Sequence, residues 1–173
     1  MSENITLVQL LTSSIISGGV VSAIIGISSK GFVTRVENEI KSRRTWKEQS
    51  VSELLGPINM QFDRTIRAFE RWQSKNLFLE AKVIKSSNET IRDLLINKGH
   101  LIPPELLEDA GKLIEHYDVW IEKFEKQRLS DNPDLETEFI FVGPDGFPFP
   151  KESEKKFRDI FKNYWDLLYK NSG

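Results

Sequence analysis

The run Pro103-Pro104-Glu105-Leu106-Leu107-Glu108-Asp109-Ala110-Gly111-Lys112-Leu113-Ile114-Glu115-His116-Tyr117-Asp118-Val119-Trp120-Ile121-Glu122-Lys123-Phe124 carries the clearest helical pattern in the chain. Its prolines stand at the start, where a missing amide hydrogen costs nothing. Leu106, Leu107, Ala110, Leu113, Ile114, Tyr117, Trp120, Ile121 and Phe124 recur at three- and four-residue spacing as a broad apolar stripe. Glu105, Glu108, Asp109, Glu115, Asp118, Glu122 and Glu125 form the acidic outer face. A stripe this wide must be covered by other elements, and the neighbouring sequence supplies further helices to cover it.

On the N-terminal side, Leu54, Leu55, Ile58, Phe62, Ile66, Phe69 and Trp72, then Leu77, Leu79, Ala81 and Ile84, follow the same period. They predict one long amphipathic helix or two, with Pro57 as a kink or first turn and a break at Gln73 to Asn76. Asn88 before Glu89, Ile91, Leu94 and Leu95 reads as the cap of a short helix that stops at Gly99. On the C-terminal side, Lys151 to Tyr169 predicts a last helix with Phe157, Ile160, Phe161, Tyr164, Leu167 and Leu168 turned inward. Between these helices, Glu138 to Val142, the turn Pro144-Asp145-Gly146 and Phe147 to Pro150 suggest a small β-hairpin or an extended aromatic flap. Pro148 and Pro150 forbid a central strand.

The first 30 residues have a different character. No charged side chain occurs from Ile5 to Ser29, and Leu10 through Ile27 is built of Leu, Ile, Val, Ala, Gly and Ser with a single Thr. A helix of about 20 residues rises about 30 Å, the thickness of the hydrocarbon layer, and satisfies its own backbone there. The expected class is therefore mainly all-α, with a single N-terminal transmembrane helix and then a cytoplasmic α-helical bundle bearing one hairpin or flap. The domains run 1–30 as anchor, 31–50 as basic juxtamembrane helix or linker, and 51–173 as helical domain.

Orientation follows from the flanks. Glu3 precedes the span, whereas Lys30, Arg35, Lys41, Arg43, Arg44 and Lys47 follow it. An excess of Lys and Arg marks the cytoplasmic end, which puts the N-terminus outside an inner or plasma membrane. The same six residues are candidate contacts to anionic lipid headgroups. Within the span, Ser14, Gly18, Ser22 and Gly26 recur every four residues, a candidate face for helix association and homo-oligomers.

Composition excludes several classes of function. The chain has 24 Lys and Arg against 26 Asp and Glu, a formal net charge of −2, which argues against a general nucleic-acid binder. With no cysteine there is no disulfide, thiolate nucleophile or Cys-containing metal site. Neither a phosphate loop nor a Gly-x-Ser-x-Gly elbow occurs. His116, beside Glu115, Tyr117 and Asp118, reads as a polar boundary residue, and His100 as an exposed helix-end residue. No catalytic, cofactor-binding or metal-ligating set is assigned, and the chain is expected not to be an enzyme.

Charge is unevenly spread: Glu105 to Glu138 holds eleven acids against Lys112, Lys123, Lys126 and Arg128. Glu105, Glu108 and Asp109, with Phe147 and Phe149 of the flap, are therefore the candidate surface for a protein partner. The expected function is recruitment, scaffolding or signalling at the membrane. The alternative is an oligomerising membrane effector whose bundle senses a ligand or a stress cue, with a membrane-tethered enzyme a third class.

Overall fold

The computed structural model describes residues 34–71, 76–137, 139 and 148–170, and they are helical almost throughout. The chain divides into two compact units, Met1–Arg44 and Thr45–Gly173. Residues 34–49 form helix α1, whose part in the first unit is solvent-exposed and carries an Arg43–Glu39 ion pair at 2.6 Å. The proposed span and its small-residue face lie outside the described residues. Among the described residues, no helix is long and apolar enough to cross a membrane.

The second unit is an all-α bundle. A π-helical turn, Ser50–Leu55, leads into α2, Gly56–Arg71. A second π turn, Leu79–Lys85, leads into α3, Ser86–Asn97. Short 3₁₀ turns at Gly99–Leu101 and Pro104–Leu106 lead into α4, Leu107–Arg128. Helix α5, Lys151–Trp165, ends in a π turn, Asp166–Lys170. The helices form a ring in which α2 packs on α3, α3 on α4, α4 on α5 and α5 back on α2.

The stripes read from the sequence make the core. Leu54, Leu55, Ile58 and Phe62 are buried against Ile91, Leu95, Leu106, Leu113, Tyr117 and Phe157. Each such side chain contributes about 1.5–3 kcal/mol on leaving water. A second cluster, Ala68, Ile84, Trp120, Phe124 and Phe139, continues the interior. Trp120 stacks on Phe124 at 5.3 Å, and Phe139 meets both rings edge-on.

Polar ties fix the register between elements. The Trp46 indole donates to the His100 carbonyl at 3.0 Å, and the buried Ser50 hydroxyl donates to the Leu101 carbonyl at 2.8 Å. Asp109, on α4, accepts from Ser153 Oγ at 2.9 Å and Lys156 Nζ at 2.8 Å, both on α5.

Several sequence expectations need correction. No strand occurs among the described residues; Phe139 and Pro148 to Pro150 are irregular, and the remainder of the expected hairpin, Phe147 included, lies outside them. Asn88 is not a cap, because the preceding π turn runs straight into α3 and leaves no free amides to satisfy. Leu107 and Leu167 are half-exposed instead of turned inward. The final π turn carries Leu168 onto the core, where Tyr164 of α5 is also buried, and leaves Leu167 outside.

Candidate functional site

A cavity of about 380 Å³ opens among α2, the π turn before α3, α3, α4 and the entry to α5. It lies at the seam of the two apolar clusters, since Phe62 and Tyr117 belong to one and Ile84 and Trp120 to the other. Its size falls within the range of small-molecule sites, and its lining is largely aromatic and aliphatic, as such sites are.

Helical periodicity explains how the walls are built. On α2, Phe62, Thr65, Ile66 and Phe69 share one face at three- and four-residue spacing. The Thr65 hydroxyl donates to the Gln61 carbonyl at 2.9 Å, which uses its one donor within the helix. On α4, His116, Tyr117 and Trp120 follow the same rule. Phe149 closes one side, its ring edge-on to His116 at 5.3 Å and tilted against Tyr117 at 6.4 Å.

Two polar groups in this lining are unusual. Asn88 is 4% exposed as a residue, and its side chain makes no hydrogen bond among the described residues. The Tyr117 hydroxyl, on a residue 2% exposed, is likewise without a hydrogen bond among them. Burial pushes the Tyr117 phenol well above its ordinary value, and the negative charge of Glu154 adds to the rise. Both residues line the cavity, and polar groups of this kind fix the orientation of a molecule held in an otherwise apolar pocket.

At the mouth stand exposed Lys151 and part-buried Glu154. Glu154 accepts from Arg158 Nε at 2.9 Å, and Arg158 Nη1 also donates to Asp63 at 2.7 Å. The Arg158 guanidinium lies over the Phe62 ring at 5.3 Å, so one cation ties the rim of the cavity to its wall. Among the described residues, no group of three His, Asp or Glu side chains could hold a metal ion.

The residues singled out from sequence fall in several places. Ser14, Gly18, Ser22, Gly26, Lys30 and Phe147 lie outside the described residues. Arg35, Lys41, Arg43 and Arg44 are exposed on α1, while Lys47 is half-buried with its ammonium 5.0 Å from the Tyr164 ring centre. Glu105 and Glu108 are exposed, with Glu108 paired to Lys112 at 2.6 Å. Asp109 is only 3% exposed and faces α5, so it forms no part of that acidic surface. Phe149 belongs to the cavity wall.

Asn88, Tyr117 and His116 escaped the sequence reading as site residues, although a signal was present. Ile84, Asn88, Ile91 and Leu95 occupy one buried row, and the polar member of an apolar row marks a group facing the interior. His116, 4% exposed, is likewise an interior residue and not a boundary one. No protein-family model matches the chain, and neither a curated protein nor a solved structure matches it.

Proposed function

We propose that this chain is a non-enzymatic sensor tethered to a membrane, whose helical domain takes up a small apolar molecule and, in response, recruits a protein partner or assembles with further copies. The cavity carries the sensing half of this reading: an aromatic-walled space of about 380 Å³ whose lining includes the amide-bearing Asn88 and the phenol-bearing Tyr117. Filling it would join α2, α3, α4 and Phe149 through one ligand and shift any equilibrium among their packings.

The sequence supports the tethering half. The charge-free stretch Ile5 to Ser29 and the basic flank from Lys30 to Lys47 fit a single span with the domain on the cytoplasmic side. The face Ser14, Gly18, Ser22 and Gly26 supplies a route to oligomers, and exposed Glu105 and Glu108 supply an acidic surface for a basic partner.

Two measurements test the reading. Alkaline carbonate extraction of membranes from expressing cells should leave the chain in the pellet; release into the supernatant overturns the tether. A panel of neutral aromatic compounds, scanned by thermal melting of the full-length chain, should contain members that raise the midpoint in a saturable way. A flat response across the panel overturns the sensor.

A further inference from the structure

We infer that the cavity selects a neutral, flat-ring molecule bearing an amide edge, of which a bicyclic lactam is the simplest form. This inference rests on the reading of the domain as a ligand sensor and specifies the chemistry of that ligand. Three observations carry it.

The first is the polar pair. A carboxamide offers a donor and an acceptor side by side, and the group that satisfies both is another amide, which presents a carbonyl and an N–H along one edge. Asn88 is buried, lines the cavity and has no hydrogen bond among the described residues. Tyr117 adds a hydroxyl that can donate to the second lone pair of the ligand carbonyl.

The second is the wall. Phe62, Phe69, Trp120 and Phe149 all line the space, and aromatic side chains favour flat rings in stacked or edge-on geometry.

The third is charge. A carboxylate ligand would have to leave water for a largely apolar site and approach a phenol already under the negative field of Glu154. Lys151 at the mouth is exposed, where solvent screens it. Arg158, the other nearby cation, is already engaged by Glu154 and Asp63. A neutral ligand suffers none of these penalties.

The test uses the full-length chain in lipid nanodiscs, with empty nanodiscs as the blank for partitioning, and isothermal titration of three probes of similar shape: 2-quinolone, naphthalene and naphthalene-2-carboxylate. The expected order puts 2-quinolone first, with one site per chain and an affinity about tenfold above naphthalene, the worth of one or two satisfied hydrogen bonds. Asn88→Leu should erase that advantage, and Tyr117→Phe should reduce it severalfold. Tyr117→Phe and the order of the probes on the wild type decide the matter should Asn88→Leu fail to fold, which circular dichroism reports.

Equal or tighter binding of naphthalene, a preference for the carboxylate, or an advantage that survives both substitutions overturns the inference while leaving the sensor reading in place. Binding of none of the three overturns the inference and tells against the sensor as well.

Discussion

Arg128 Nε donates to Glu80 Oε2 at 2.9 Å with the two side chains 2% and 0% exposed, joining the end of α4 to the π turn that precedes α3. The guanidinium also donates to the Asp134 carbonyl and lies 5.9 Å from the Phe139 ring centre. Among the described residues, Glu80 Oε1 and Arg128 Nη2 have no hydrogen-bond partner, so the pair is incompletely satisfied there. Removing one partner strands a charge in the interior, whereas removing both does not.

Glu80→Leu and Arg128→Met should therefore each lower stability by about 3–5 kcal/mol, and the double variant by much less than either. Urea unfolding of the four proteins checks this. Additive losses would mean that the pair is not coupled.

Asp109 governs the junction of α4 and α5, and its charge should make that junction sensitive to acid. Burial alone would raise the carboxyl, but the hydrogen bonds from Lys156 and Ser153 outweigh it and hold the group below its ordinary value. A carboxyl depressed in the folded state stabilises the fold above the unfolded pKa, and that contribution disappears as pH falls through the folded one. Asp109→Asn should cost about 1–3 kcal/mol near pH 7, toward the lower end because the Lys156 side chain is 57% exposed and its pairing is screened. The gap between variant and wild type should close as pH drops below about 4. Melting midpoints measured from pH 7 down to pH 3 would show it.

Gly56 follows the first π turn and donates its amide to the Val51 carbonyl. Alanine usually gains about 1 kcal/mol over glycine inside a helix. Here a Cβ would stand 2.8 Å from the Val51 carbonyl oxygen, a backbone atom that cannot swing aside. Gly56→Ala should accordingly lower the melting midpoint, and a rise would show that the π turn relaxes freely to an α turn.

Asn88 sets binding against stability. Asn88→Leu exchanges an amide that lines the cavity for an apolar side chain of similar size among Ile84, Ile91 and Leu95, and should stabilise the domain by about 1 kcal/mol. Thermal unfolding without added ligand measures this, and a marked loss of stability would imply that the amide is satisfied in the folded state.

Much of the helical organisation could be read in one dimension, because the repeat of apolar side chains every three or four residues is a local property of the backbone. The stripe from Leu106 to Phe124 marked α4, and Pro104 marked the turn that precedes it. Asn88 was misread for a physical reason: an asparagine before an apolar row caps a helix only when the preceding backbone is not helical, and here it is. Asp109 was placed among the acids of an outer face because α5, which supplies Ser153 and Lys156, begins more than forty residues later.

The order of residues alone thus determined that the described domain is a set of amphipathic helices and which rows of side chains must be covered, since both follow from a 3.6-residue period and the cost of wetting apolar surface. Only the tertiary structure decided that Asn88 from α3, Tyr117 and His116 from α4, and Phe149 from the approach to α5 border one cavity. That outcome depends on which helix faces which and how deeply they interlock, a property of the packed ring that no single helix contains.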